Sequence, residues 1–139
     1  MIRRLMLVAA VAALPVVAVA GDARRDAILA AYAGKARTAD PAATAFSAQR
    51  GEALFRTKWT DGDPRTSSCT ACHTADPRQP GQNAKTGRPI EPVAVSANAR
   101  RFTDPATVEK QFTRDCRSVL GRECTPLEKG DYITFMAGQ

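Results

Sequence analysis

Two cysteines and the only histidine of the chain lie together in the run Cys69-Thr70-Ala71-Cys72-His73. This is the C-x-x-C-H pattern of covalent haem attachment. Two residues between the cysteines place both sulfurs on one side of a tight turn, within reach of the two vinyl groups on one porphyrin edge. The pattern predicts one haem c bound through Cys69 and Cys72, with His73 as the proximal iron ligand. The second ring nitrogen of His73 should bond a backbone carbonyl, for which Pro92 is the expected acceptor.

Three other uses of these cysteines fit the sequence less well. A thioredoxin-like C-x-x-C requires a βαβ context, and no strands are predicted here. A zinc site could use all four cysteines, but seven residues separate Cys116 from Cys124, against about two to four in zinc-binding pairs. A disulfide between Cys69 and Cys72 would be strained. The spacing with the histidine therefore favours haem.

Few side chains are able to bind the iron opposite His73. Small cytochromes c commonly use a methionine or a second histidine, and this chain has no second histidine. Met1 and Met6 lie in a leader sequence, and Met136 lies on the side of the last helix that is expected to pack against Gly51 and Phe55. The iron is therefore expected to be five-coordinate or to take an unusual oxygen or nitrogen ligand.

Asp115 is the candidate for that ligand. On a helical wheel it falls within the apolar stripe of Val108 and Phe112. A carboxylate on a buried side is costly unless a cation pairs with it, and ferric iron would pair with it. The alternative is an ion pair with an arginine such as Arg122. The opposite side of the helix is basic, with Lys110, Arg114 and Arg117.

Residues 1–20 have the layout of a secretory signal peptide. Arg3 and Arg4 precede an apolar stretch that is short for a bilayer-spanning helix, and Ala18-Val19-Ala20 forms a small-residue cleavage site. An uncleaved membrane anchor is the alternative. We therefore expect an exported protein, periplasmic or otherwise, with one cytochrome c domain at residues 21–139. No stable membrane insertion is expected after cleavage. In an oxidising compartment, Cys116 and Cys124 should form a disulfide, the alternative being two free thiols.

The charge balance gives no case for a nucleic-acid partner. The chain has 20 Lys and Arg against 14 Asp and Glu, a net charge of +6, and loses two positive charges with the signal peptide. It lacks the basic run interleaved with aromatics that nucleic-acid binding requires. The basic face near Asp115 could dock an acidic redox partner, since charge speeds encounter, or it could be an ordinary solvated face.

The remaining patterns predict an all-α fold with a long proline-rich loop. Helices are expected at residues 23–33, ended by Gly34, and at 45–58, with a short turn at 69–73. Residues 76–98 contain several prolines and no periodicity, as in a loop that wraps a cofactor. Thr103 or Asp104 should cap a helix that runs to about residue 116. Thr125 and Glu128 form a capping box for the last helix.

The chain resembles the sphaeroides haem protein family, a branch of the class I cytochromes c. The resemblance covers nearly all of residues 21–139. It is carried by Arg50-Gly51-x-Ala53-Leu54-Phe55, Ser68-Cys69-Thr70-x-Cys72-His73, Thr86-Gly87, Arg101-Phe102-Thr103-Asp104, Val108-Glu109-Lys110 and Ser118-Val119-x-Gly121-Arg122-x-Cys124-Thr125-Pro126.

The resemblance implies a class I cytochrome c fold, a Cys116–Cys124 disulfide and a dihaem cytochrome c as redox partner. Members of the family use an asparagine as a weak sixth ligand that detaches on reduction, which opens the iron to oxygen, nitric oxide or carbon monoxide. This chain has Asp115 at that position, and Arg117 where a second asparagine is common.

Three functions compete at this stage. The protein could bind small diatomic gases or exchange electrons at a weakly ligated haem. It could be a plain electron shuttle with a fixed sixth ligand. It could also be a haem enzyme that acts on nitric oxide or peroxide, although a peroxidase usually needs a distal acid–base pair and this chain has no second histidine to supply one. An electron carrier or ligand-binding protein is favoured over an enzyme.

Overall fold

The computed structural model describes residues 22–139, and the expected signal peptide therefore lies outside the described residues. The described chain is mostly helical. Its elements are α1 (Ala23–Ala39), α2 (Ala48–Arg56), a 3-10 turn (Pro64–Thr66), α3 (Thr70–His73), β1 (Gly81–Gln82), β2 (Pro89–Ile90), α4 (Pro105–Leu120) and α5 (Pro126–Ala137). Within the described part, no helix is long and apolar enough to cross a membrane.

The helix starts agree with the predicted caps. The Asp104 side chain accepts from the Thr107 amide at 2.7 Å, and Pro105 takes the first turn of α4. The capping box of α5 is complete, because Thr125 and Glu128 each accept a bond from the backbone amide of the other. These side chains satisfy amides that have no partner within the helix, so they fix where each helix begins.

Several predicted boundaries are wrong. Helix α1 continues past Gly34 to Ala39, because its buried side extends from Ile28 to Ala36 and outweighs the cost of one helical glycine, about 1 kcal/mol. Helix α2 begins only after Ser47, whose hydroxyl accepts from the Arg50 amide. Helix α4 runs to Leu120 instead of residue 116, and it ends at a left-handed glycine, Gly121.

The long proline-rich loop contains a small element of sheet that the sequence did not predict. Gly81 and Gln82 pair antiparallel with Ile90 and Pro89. With only two residues in each strand, no alternation of apolar and polar residues can develop, so sequence periodicity gives no signal.

The core is formed where α1, α2, α4 and α5 meet. Phe55, Ile133 and Met136 are its largest fully buried side chains. Aromatic rings fill the space between the helices, with Tyr132 in contact with the rings of Phe102 and Phe112 at centroid distances of 6.1 and 5.6 Å. The predicted place of Met136 in the core is confirmed.

Helices α2 and α5 cross at Gly51. A Cβ atom at this position would lie 2.1 Å from the carbonyl oxygen of Asp131. The same Asp131 is buried and accepts from the amide of Ser47 and from Nε and Nη2 of Arg50. The glycine thus permits the predicted packing of the last helix against this position, and the Asp131 carboxylate ties the start of α2 to α5.

We expect Gly51→Ala to lower the free energy of unfolding of the haem-loaded protein by about 3 kcal/mol, the upper end for an overpacked core. The clash is with backbone, so no side-chain rotation relieves it. Urea unfolding measures the loss. Gly34→Ala is the matched control, because nothing lies within 4 Å of its added Cβ, and it should stabilise α1 by about 0.5–1 kcal/mol. Equal effects of the two substitutions would contradict the helix-crossing role.

Candidate haem-binding site

The described residues enclose a cavity of about 950 Å³ between α3, α4 and the 81–90 hairpin. Its wall is largely apolar. The apolar side chains are Leu54, Ile90, Val93, Phe102, Val108, Phe112, Val119 and Leu120. A cavity of this size and polarity is typical of the site of a large flat cofactor rather than of a small polar substrate.

The attachment motif forms one wall of this cavity. Cys69 precedes α3, Cys72 and His73 lie within it, and all three line the cavity. Neither cysteine is in a disulfide. The chain turns sharply after His73, because Thr74 adopts a φ of +62°. A positive φ is costly for a β-branched residue, and such strained residues tend to occur at functional sites.

The protonation of the motif suits haem attachment. Burial lowers the pKa of His73 to about 4, with a further contribution from the Arg101 charge, so the imidazole is neutral near pH 7 and can bind a metal. Burial, followed by the nearby Asp115 charge, raises the pKa of the Cys69 thiol to about 12. A redox-active C-x-x-C needs the opposite shift, so the thioredoxin-like interpretation loses its support.

The 81–90 hairpin packs directly against the attachment motif. A Cβ atom on Gly81 would lie 2.0 Å from the carbonyl oxygen of Cys72, so only glycine allows this approach. The amide of Ala84 donates to the Cys72 sulfur at 3.4 Å. These contacts show how the proline-rich loop, which the sequence predicted to wrap a cofactor, lies against the attachment helix.

The Pro92 carbonyl does not take the role predicted for it, which was to accept a hydrogen bond from His73. It accepts from Nε of Arg101 at 2.9 Å, and the neighbouring Glu91 carbonyl accepts from Nη2 at 2.6 Å. Among the described residues, no hydrogen bond joins it to His73. The planar guanidinium presents two parallel donors that match two successive carbonyls, and this fork was not visible as a pattern in the sequence.

Asp115 lines the cavity, as its position on the wheel predicts. Its side chain is 46% exposed, and its carboxylate pairs with Arg114 instead of Arg122. Arg122 instead bonds Glu128 through both terminal nitrogens. The wheel placed Arg114 and Arg117 on the opposite side, but both also line the cavity, because their long side chains reach around the helix.

A disulfide joins Cys116 of α4 to Cys124, immediately before the α5 cap, with their Cα atoms 5.6 Å apart. It fixes the helix turn that follows Asp115. Because these cysteines bond each other, they are not available to complete a four-cysteine metal site with Cys69 and Cys72. The described residues contain no group of three or more His, Cys, Asp or Glu placed to hold a metal ion.

Replacing both Cys116 and Cys124 with alanine should lower the free energy of unfolding by about 2–3 kcal/mol, the chain-entropy value for a closed loop of this length. The physical reason is that the unfolded chain loses its cross-link. Denaturant unfolding compares the variant with the oxidised wild type. Labelling of denatured, unreduced wild type should find no free thiol at either position, and two labelled thiols there would refute the pairing.

The polar side chains at the cavity mouth were missed by sequence reasoning. Lys85 bonds the Ser118 hydroxyl at 2.8 Å and Asp63 at 3.0 Å, and Arg88 also lines the cavity. Gln111 lines the cavity one helical turn before Asp115. The spacing of Gln111 and Asp115, four residues apart, was the available signal. The loop residues gave none, because their position depends on how the loop folds.

The comparisons with known proteins decide the class. Residues 41–136 match a family described as a domain of unknown function, DUF1924. The chain is 46% identical over 136 residues to the cytochrome c-type protein SHP of Cereibacter sphaeroides, with 98% of each chain covered. It belongs to the sphaeroides haem protein family.

Further matches agree on the fold. The structure of oxidised SHP, an oxygen binding cytochrome c, superposes with a TM-score of 0.75 at 44% identity and covers 83% of this chain and 96% of that one. Cytochrome c'' of Methylophilus methylotrophus is 36% identical over 105 residues, covering 76% of this chain and 73% of that protein. Its oxidised crystal structure gives a TM-score of 0.73 at 33% identity, over 84% and 95% of the two chains. The predicted class I cytochrome c fold is thereby confirmed.

Haem c is the cofactor of this protein, and the residues at the cavity fit it. Cys69 and Cys72 would form the thioether bonds, and His73 would bind the iron from the attachment side. The apolar wall would cover the ring, and the cations Lys85 and Arg88 at the mouth could neutralise its propionates. When bound, this group supplies reversible one-electron chemistry and an iron to which small ligands can bind.

Proposed function

We propose that this protein is an exported monohaem cytochrome whose sixth site is held weakly by Asp115 and opens on reduction. In the open state it binds small diatomic gases, and it exchanges electrons with a redox partner. The observation that carries the proposal is the composition of the cavity. Asp115 lines it together with His73, whereas Met136, the only methionine outside the leader, is fully buried in the core.

The charge of Asp115 supplies the link to oxidation state. A carboxylate is attracted more strongly by ferric than by ferrous iron, because the interaction scales with the charge. Asp115 should therefore bind in the oxidised protein and release on reduction, so that the same residue both stabilises the ferric state and vacates the site.

The relatives support such a site without defining it here. SHP is described as an oxygen binding cytochrome c. The solution structure of the Methylophilus cytochrome c'', with a TM-score of 0.71 and 33% identity over 84% of this chain, concerns haem-ligand detachment. An aspartate in place of the family asparagine changes a neutral ligand to an anionic one. We expect tighter ferric binding and a lower reduction potential than an amide would give.

Two features support export and an electron partner. The Cys116–Cys124 pairing suits an oxidising compartment, which agrees with the signal peptide proposed for residues 1–20. The cavity lining is net positive, with Lys85, Arg88, Arg101, Arg114 and Arg117 against Asp61, Asp63 and Asp115. A net positive charge beside the cofactor would steer an acidic partner. We therefore propose that the electron partner is a redox protein with an acidic docking face, such as a dihaem cytochrome c.

Absorption spectra of the purified holoprotein test the open site. The ferrous protein should show high-spin bands without added ligand, and carbon monoxide should convert them to a low-spin complex at about one equivalent. Carbon monoxide is a neutral probe that binds only ferrous iron. A low-spin ferrous spectrum that carbon monoxide leaves unchanged would overturn the proposal in favour of a fixed sixth ligand.

A further inference from the structure

Asp115 has a basic neighbour that engages both of its carboxylate oxygens. Nε of Arg114 lies 2.6 Å from Oδ1, and Nη2 lies 3.0 Å from Oδ2. This is the two-pronged geometry in which arginine binds carboxylates most specifically. Each carboxylate oxygen keeps a further lone pair, as Oδ1 of Asp131 shows by accepting two bonds. Iron bound to Asp115 would therefore share the carboxylate with this guanidinium, whose positive charge draws the carboxylate away from the metal.

The neighbouring arginines form ion pairs with other carboxylates. Arg117 bonds Glu123, and Arg122 bonds Glu128. Among the described residues, Arg114 is therefore the cation that is bonded to Asp115. Both side chains line the cavity, and they are partly exposed, at 68% for Arg114 and 46% for Asp115. Exposed pairs of this kind shift an equilibrium by only about 1.5-fold to fivefold. Such a pair can compete with iron without preventing iron from binding.

The following inference rests on the proposed role of Asp115. We propose that Arg114 competes with the iron for the Asp115 carboxylate and receives it on reduction, so that Arg114 sets how readily the sixth site opens. The charge of the guanidinium is the same in both oxidation states, whereas that of the iron falls by one. Reduction therefore weakens the attraction of the carboxylate to the iron but leaves its attraction to Arg114 unchanged, so the carboxylate shifts to Arg114. Arg114 is in this sense a positioning residue.

Binding of imidazole to the ferric holoprotein measures this competition. Imidazole is a probe that must displace Asp115 from the iron, and its neutral form does not respond directly to the charge at position 114. In Arg114→Gln, Asp115 loses its competing partner and should hold the iron more tightly. The apparent imidazole Kd should then rise by about 1.5-fold to fivefold above wild type. Lys110→Gln removes one charge from the same helix outside the cavity, and it should leave the Kd unchanged.

The Asp115→Ala background separates this inference from the proposed function. There the imidazole Kd should fall below wild type, and adding Arg114→Gln should change nothing further, because no carboxylate remains to be shared. If Asp115→Ala leaves the Kd unchanged, the ligand role of Asp115 is wrong and this inference falls with it. If Asp115→Ala lowers the Kd but Arg114→Gln alone leaves it unchanged or lowers it, only the competing role of Arg114 is overturned.

Discussion

The double substitution Cys69→Ser, Cys72→Ser should give a protein that retains no haem after acid-acetone extraction, whereas the wild type stays coloured. The apoprotein should also fail to unfold cooperatively. Without the haem, the apolar side chains that line the cavity, among them Val108, Phe112 and Leu120, lose their packing partner and face water. Burying one such side chain contributes about 1.5–3 kcal/mol, so exposing several of them approaches the whole stability of a domain, about 5–15 kcal/mol. Circular dichroism during thermal unfolding measures the second effect.

The matched control variant also replaces two cysteines. Cys116→Ser, Cys124→Ser removes two sulfurs that do not attach the cofactor, so its haem should survive extraction and its spectrum should persist. A Cys69→Ser, Cys72→Ser protein that keeps its colour after extraction would show that the thioether bonds are not formed there.

Substituting Asp115 with alanine should change the ferric absorption spectrum and raise the reduction potential. Removing an anionic ligand that favours ferric iron takes away a stabilisation of that state. For a one-electron couple, each 1.4 kcal/mol of lost stabilisation raises the potential by about 59 mV. We expect a rise on the order of 60–120 mV, because charge-assisted bonds typically contribute about 1.5–3 kcal/mol. Spectroelectrochemical titration of the holoprotein gives both quantities in one experiment.

Asp115→Asn separates ligation from charge. The amide keeps an oxygen donor at the same position but loses the negative charge. The ferric spectrum of Asp115→Asn should therefore be closer to that of the wild type than the spectrum of Asp115→Ala is, and its reduction potential should be higher than that of the wild type. If the alanine variant shows an unchanged ferric spectrum, Asp115 is not a ligand. Gas binding at an open site would still stand in that case, since it depends on the position of Met136 in the core and on the single histidine.

The parts of this structure that were predictable depend on short-range chemistry. The C-x-x-C-H spacing indicated the cofactor, and the caps at Asp104 and Thr125 fixed two helix starts within a residue. The place of Asp115 on the cavity wall was predicted from the apolar stripe of Val108 and Phe112 on the same helix. In each of these cases the residues that form the pattern lie within a few positions of one another, so their spacing in the chain determines their geometry.

The parts that were not predictable depend on contacts between distant segments. Helix α1 extends past Gly34 because Ala36 is buried, and that burial is decided by tertiary packing. Arg101 takes the Pro92 carbonyl that was expected to face His73. The placement of Lys85 at the cavity mouth results from bonds to Asp63 and Ser118, which come from other parts of the chain. No local sequence pattern predicts these contacts.

Crystal structures of the haem-loaded protein in its oxidised and reduced forms would test the central claim most directly. The measured quantity is the distance from the iron to the nearer carboxylate oxygen of Asp115. We predict a bonding distance in the oxidised crystal. In the reduced crystal the carboxylate should have left the iron and should bond Arg114 through both oxygens. An Asp115 carboxylate that is remote from the iron in the oxidised crystal, or one that remains bonded in the reduced crystal, would contradict a ligand released by reduction.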